Sequence, residues 1–172
     1  MFFSVRDLGL RSAQFDVSIE PGVIDFLDPK LRQAGPLKAK GTAALLSHSE
    51  DGIHLQGALD VTMEADCDRC LEPATFPVTA ELNLYYKPAS ETDEDEEAEL
   101  DEGEAEIAFY EGGGIELNDV LREQILLTLP FKRICKEDCL GICPECGQIR
   151  NQVECGCEQK IVDPRWSALK EI

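Results

Sequence analysis

The 172-residue sequence has little histidine and no long apolar run. Catalytic zinc sites often use histidine, and the two histidines here, His48 and His54, flank a predicted hairpin as surface residues. No apolar run approaches the roughly 18 residues that a membrane span needs, and no glycine-rich phosphate loop or nucleophile elbow occurs. The first residues lack the positive-then-apolar layout of a secretory signal. These absences predict a cytoplasmic protein with no membrane association and no small-molecule substrate.

Acidic charge is concentrated in one part of the sequence. The formal net charge is -19, and residues 91–106 contain eleven acidic side chains and no basic one. Mutual repulsion and low apolar content predict a disordered acidic loop over residues 88–106. One interpretation of this loop is a solvated spacer. The other is a segment that attracts a basic partner electrostatically.

Alternation of apolar and polar residues predicts a sheet. Residues 53–67 and 76–86 alternate as long strands with one solvated face do, and residues 37–48 supply a partner strand. Residues 107–110 are expected to form a short strand that rejoins the sheet. The pattern predicts an α+β fold built on an antiparallel β-meander or an open barrel-like sheet.

One C-terminal helix is predicted over residues 116–129, where apolar residues recur at helical spacing. Asn118 is the expected N-cap, and Pro130 ends the helix. We therefore divide the chain into a β-rich domain over residues 1–130 and a Cys-rich zinc-binding tail over residues 131–172.

The cysteines indicate metal binding. Cys143 and Cys146 form a CxxC knuckle, and Cys155 and Cys157 can complete a four-thiolate zinc site. The remaining cysteines would form a second zinc site, so the predicted cofactor is one structural zinc ion or two. The members of this second set are Cys67, Cys70, Cys135 and Cys139.

The pairing of the cysteines is left open by the sequence. Cys67 and Cys70 can instead share one ion with the Cys143–Cys146 knuckle, and Cys67 can simply be a buried thiol. Disulfides in an oxidising compartment and free structural thiols are further alternatives. A thiol oxidoreductase is disfavoured, because carboxylates flank both CxxC pairs and raise thiol pKa values. We expect no enzymatic activity.

Four motifs together resemble the YceD-like family, in the same order and spacing over roughly residues 37–172. They are CDRCLEP at residues 67–73, REQILL at residues 122–127 with Pro130, the cysteine block at residues 135–157 with Gly141 and Arg150-Asn151, and DPR at residues 163–165. The resemblance implies a ribosome biogenesis factor that supports accumulation of large-subunit (23S) ribosomal RNA. Some members of the family lack most of these cysteines, so the resemblance also implies that the metal is not essential to the shared function. Its role would be to stabilise the structure of the tail.

The charge of the chain bears on its partner. A phosphate backbone rewards clustered lysine and arginine, and the small basic group here is Lys132, Arg133, Lys136 and Arg150. We therefore expect a basic ribosomal protein or the pre-ribosomal large subunit as partner, with direct rRNA contact not dominant. The alternative is a zinc-knuckle nucleic-acid-binding module that contacts rRNA directly through that basic group.

Overall fold

The computed structural model describes residues 1–46, 51–89 and 107–157. The acidic loop predicted over residues 88–106 lies outside the described residues except for its first two positions, of which Pro88 still belongs to a strand. The part of the predicted tail beyond residue 157 also lies outside them.

The described chain contains eight strands and two helices. In chain order they are β1 (Phe2–Ser4), α1 (Val5–Leu8), β2 (Ala13–Ile19), β3 (Arg32–Gln33), β4 (Leu37–Leu45), β5 (Ile53–Asp66), β6 (Pro73–Pro88), β7 (Ile107–Tyr110), β8 (Gly114–Glu116) and α2 (Leu117–Thr128). The protein is therefore α+β, as predicted, and its sheets are open.

The main sheet has the strand order β2-β4-β5-β6-β7, and β3 pairs with β5 beside it. The pairs β2–β4, β4–β5 and β3–β5 are antiparallel. The last pair, β6–β7, is parallel, with Tyr85 opposite Ile107. Parallel neighbours need a long connection in the sequence, and 18 residues separate Pro88 from Ile107.

The strand periodicity agrees with the burial pattern. In β5 the odd-numbered side chains from Ile53 to Ala65 are buried except at Gly57, and in β6 the even-numbered Val78, Leu82 and Tyr86 are buried. One face of the sheet therefore supplies the core. The buried face of α2 packs into the same core through Leu117, Val120, Leu121 and Ile125.

The helix α2 begins differently from the prediction. Its N-cap is Glu116, which makes no side-chain capping bond, so the expectation for Asn118 was wrong. The reason is that β8 runs directly into the helix, and the amide of Leu117 donates to the carbonyl of Met1 at 2.9 Å. A backbone contact with Met1 thus satisfies an amide in the first turn of the helix that a capping side chain would otherwise bond.

The chain divides into two compact units. The β-rich unit comprises Met1–Ala65 and Thr75–Phe131, and the Cys-rich unit comprises Asp66–Ala74 and Lys132–Ile172. Residues 66–74 were assigned to the β-rich domain from sequence, but they carry two cysteines that cluster with the later ones. In the described part of the chain, neither helix has the length and hydropathy that crossing a membrane would require.

Candidate metal centre

Four thiols converge in the interior of the Cys-rich unit. We call this the first group, and it consists of Cys67, Cys70, Cys135 and Cys139, whose sulfur atoms all lie within 4.8 Å of one another. The Sγ atoms of Cys67 and Cys139 are 3.9 Å apart, and those of Cys70 and Cys135 are 3.6 Å apart. A zinc–sulfur bond of about 2.3 Å gives a tetrahedron with edges of about 3.8 Å. The spacing therefore fits a four-thiolate metal site and is too long for a disulfide bond, which needs about 2 Å.

A second set of four thiols lies in the same unit. This second group consists of Cys143, Cys146, Cys155 and Cys157, also with all sulfur atoms within 4.8 Å. It is more open than the first group, because Cys146 and Cys157 are exposed. A cavity of about 250 Å³ adjoins it and is lined in part by Leu140 and Arg150.

The two groups match one of the pairings that the sequence left open, and Cys67 and Cys70 do not join the Cys143–Cys146 knuckle. Each group can hold a metal ion through four sulfur atoms. That these residues are metal ligands, and that the metal is zinc, stays a prediction.

Both CxxC segments adopt the same backbone turn. The amide of Leu71 donates to the carbonyl of Cys67 at 2.9 Å, and the amide of Gly147 donates to the carbonyl of Cys143 at 2.9 Å. The donors have φ values of 62° and 73°. Glycine reaches this left-handed region freely, whereas leucine there costs about 1–2 kcal/mol. The first knuckle therefore holds Leu71 in a strained conformation.

The thiols of the first group have divergent pKa values. Burial would raise the pKa of Cys67, but hydrogen bonds from the backbone around Arg69, Cys135 and Cys70 outweigh it and lower the pKa to about 6. Burial and the neighbouring thiols raise the pKa of Cys135 to about 12. Four sulfurs this close cannot all ionise without a cation, because like charges disfavour the charged form. A bound divalent ion would remove that obstacle, and its binding would release protons.

The second group repeats this division. Backbone amides of Cys146 and Glu145 lower the pKa of Cys143 to about 6. Hydrogen bonds with the thiols of Cys146 and Cys155 raise the pKa of Cys157 to about 12. In each group one thiol therefore has a lowered pKa and another a raised one. The expectation that neighbouring carboxylates raise the thiol pKa values of both CxxC pairs was wrong for Cys67 and Cys143, because backbone hydrogen bonds lower their pKa values.

Three polar side chains support the first group. Asn151 donates to the Sγ of Cys139 at 3.1 Å, and this bond lowers the pKa of that thiol. Arg69 donates from Nη1 to the carbonyl of Cys139 at 2.9 Å. The carboxylate of Asp68 accepts from the amide of Arg133 at 2.7 Å. The sequence offered these residues only as matches to family motifs, because cysteine spacing carries no information about what surrounds the sulfur atoms.

The residues expected to contact a partner are distributed through the same unit. Lys132 is exposed, Lys136 lies 3.7 Å from the carboxylate of Asp138, and Arg150 lies beside the second group. Arg133 is tied to Asp68 through its backbone. Their role in binding a partner stays a prediction.

Among the described residues, the one histidine, His54, belongs to neither cysteine group. His54 stacks on Tyr85 with ring centroids 4.4 Å apart and has its Nε2 2.8 Å from Asn83 Oδ1. His48 lies outside the described residues. Histidine ligation is therefore no part of either described group.

Comparison with known proteins places the sequence in a family. Residues 55–172, more than half of the chain, match the family described as "Large ribosomal RNA subunit accumulation protein YceD". The chain belongs to the YceD family. Both cysteine groups and α2 lie within the matched residues.

Similar proteins come from several bacteria. The chain is 32% identical over 123 residues to the uncharacterized protein Rv2926c of Mycobacterium tuberculosis, covering 71% of this chain and 56% of that protein. It is 31% identical over 127 residues to the uncharacterized protein ML1660 of Mycobacterium leprae, covering 73% and 55%. It is 23% identical over 174 residues to the uncharacterized protein YlbN of Bacillus subtilis, covering 99% and 93%. The chain thus spans little more than half the length of the mycobacterial relatives. No solved structure gives a significant match.

Proposed function

We propose that this YceD-family protein is a non-enzymatic ribosome biogenesis factor that supports accumulation of 23S rRNA in the cytoplasm through a basic ribosomal protein. The family description supplies the link to large-subunit rRNA. The net charge of -19 argues for a cationic protein as the immediate partner, because a phosphate backbone would be repelled.

The observation that carries the partner class is an acidic groove in the β-rich unit. It has a volume of about 410 Å³ and lies between β6, β7 and α2. Its charged side chains are Glu81 and Glu123, and none of the described residues that line it is a lysine or an arginine. Burial, with a smaller contribution from the charge of Glu123, raises the pKa of Tyr86 to about 12, so this phenol stays neutral in the groove wall.

The same groove has apolar walls. Leu84 and Ile107 line it from the sheet, and Leu127 lines it from the helix with 72% of its surface exposed. An exposed leucine beside two carboxylates suits a segment that carries both lysine or arginine and apolar side chains. Ribosomal proteins rich in basic residues offer such segments.

In the Cys-rich unit we propose one zinc ion in each cysteine group. Four thiolates in a tetrahedron are the ligand set typical of structural zinc, and they leave no open position for substrate or water. Zinc here would hold the unit folded and would take no part in turnover.

A pull-down with matched variants tests the partner. Tagged wild-type protein should retain a basic ribosomal protein from nuclease-treated lysate. Glu81→Gln with Glu123→Gln should weaken that binding about fivefold, since each exposed ion pair contributes up to about 1 kcal/mol. Asp16→Asn with Asp60→Asn removes the same charge from exposed positions on β2 and β5 and should leave binding unchanged.

The same preparation separates the two classes of partner. If no ribosomal protein is retained after nuclease treatment, or if both variant pairs behave alike, the groove proposal fails. Tight binding to rRNA fragments with a steep salt dependence would instead favour the direct nucleic-acid module. In the host, loss of the protein should lower the ratio of 23S to 16S rRNA, and the groove variant should fail to restore it.

A further inference from the structure

One side chain connects the two cysteine groups. Asn151 belongs to the chain segment between Cys146 and Cys155, which are both members of the second group. Its amide nevertheless points at the first group, with Nδ2 3.1 Å from the Sγ of Cys139 and 3.9 Å from the Sγ of Cys135. The loop that closes one group therefore delivers a hydrogen-bond donor to the other.

The opposite end of the same amide is also held. Its Oδ1 accepts from the backbone amide of Leu140 at 2.8 Å. Leu140 follows Cys139 directly, so Asn151 bonds both the sulfur of that ligand and the next peptide unit. This two-point contact fixes the orientation of the amide and directs its N–H group toward sulfur.

Backbone bonds join the loop to the segment between the groups. The amide of Arg150 donates to the carbonyl of Gly141 at 2.9 Å, and Ile142 and Ile149 form an isolated β-bridge. The amide of Cys143 donates to the carbonyl of Gln148 at 2.8 Å. The position of Asn151 thus depends on how well the loop from residue 147 to residue 154 is closed.

We propose that Asn151 is a positioning residue that couples the two metal sites, so that an ion in the second group strengthens binding in the first. This inference rests on the proposed metal binding. An ion held by the four thiolates of the second group closes the loop at both ends, because its ligands flank the loop on either side. The closed loop holds the Asn151 amide against two sulfurs of the first group, where an N–H donor stabilises thiolate charge. Coupling of binding free energies is reciprocal, so an ion in the first group favours the second equally.

The test is a thermodynamic cycle on the full chain with cadmium-113 as probe. Each four-thiolate group gives its own cadmium resonance, and competition with a chelator of known affinity yields the affinity of the first group. Four proteins are compared: the wild type, Cys146→Ser with Cys157→Ser, Asn151→Asp, and the combination of all three changes. The Asn151→Asp change keeps an oxygen that accepts from the amide of Leu140 but replaces the N–H donor with a second carboxylate oxygen.

Emptying the second group should lower the affinity of the first about tenfold, and Asn151→Asp should lower it at least as much, in the range usual for groups that hydrogen-bond metal ligands. In the Asn151→Asp background, loss of the second group should have less than about a twofold further effect, because the donor through which the loop acts is already gone. The first-group resonance should also shift in Asn151→Asp, because the electron density on its sulfurs changes. Gln152→Ala, at the next and exposed position of the loop, should behave as the wild type.

Additive effects in this cycle would overturn the coupling, as would an unchanged first-group affinity when the second group is emptied. The latter comparison needs no change at Asn151 and decides the matter even if Asn151→Asp does not fold. A wild-type protein that binds two ions with no coupling refutes this inference alone. A wild-type protein that binds no metal refutes the proposed metal function and this inference with it.

Discussion

Metal removal should unfold the Cys-rich unit and spare the β-rich unit. Among the described residues, the buried members of the Cys-rich cluster are Cys67, Cys70, Ala74 and Cys139, with Ile134, Cys135 and Ile149 partly buried against them. Full burial of an isoleucine stabilises by about 1.5–3 kcal/mol, so the two isoleucines together supply at most about 6 kcal/mol. Structural zinc in small domains contributes about 10–16 kcal/mol at neutral pH. Loss of the metal therefore removes the larger support, and the remainder cannot offset chain entropy.

The β-rich unit has a separate core that needs no metal. Of the residues that the structure describes, 24 are buried in that core, among them Leu37, Ile53, Leu55 and Leu121. Its packing is of the kind that sustains an independent domain. We expect it to persist under chelation.

Hydrogen exchange measured by mass spectrometry, with and without a strong chelator, resolves the two units. Amides of residues 132–157 should lose protection when the metal is removed, and those of β4, β5 and α2 should keep it. Chelator saturated with zinc beforehand is the control and should change nothing. Native mass spectrometry of the same samples should show two zinc ions per chain before chelation. Retained protection over residues 132–157 in demonstrably metal-free protein would refute the reasoning.

Three further results are expected. Metal affinity should fall as pH falls, because the ion binds thiolates, whereas Cys135 and Cys157 are protonated in the metal-free groups, with pKa values raised to about 12. Chelator competition between pH 8 and 6 should show that affinity drops roughly tenfold or more per pH unit. An affinity that does not change with pH would contradict this. Leu71→Gly should stabilise the metal-loaded Cys-rich unit by about 0.5–1 kcal/mol relative to Leu71→Ala, because only glycine relieves the left-handed strain. Equal denaturation midpoints for the two variants would argue against strain at this position. Gly41→Ala should destabilise the β-rich unit by about 1–3 kcal/mol in urea unfolding, since a Cβ there would lie 2.2 Å from a carbonyl oxygen of the facing strand. The control is Gly35→Ala, whose Cβ would meet no atom within 4 Å, and its stability should be close to that of the wild type.

The β-rich unit was largely predictable because its signals are local. Alternation in β5 and β6 follows from the two-residue period of a strand, and the buried face of α2 follows from helical spacing. The start of α2 was not predictable, since the amide of Leu117 is satisfied by Met1 at the far end of the chain. The parallel pairing of β7 was not predictable either, because both orientations of a four-residue strand give the same sequence pattern.

The cysteine chemistry divides in the same way. Spacing within each CxxC segment indicates a knuckle, because a tight turn is a property of a few adjacent residues. The partners of Cys67 and Cys70 are Cys135 and Cys139, in a distant part of the chain, and several pairings satisfied the same spacing.

By itself, the sequence determined the strand and helix periods, the two knuckles, the acidic balance and the family, since each of these depends on residue type and near neighbours. The tertiary structure alone decided which cysteines share a group, that Asn151 bonds sulfurs outside its own loop, and that Glu81 and Glu123 line one groove. These are contacts between distant segments. They depend on how the folded chain brings distant segments together, which the spacing of residues in the sequence does not predict.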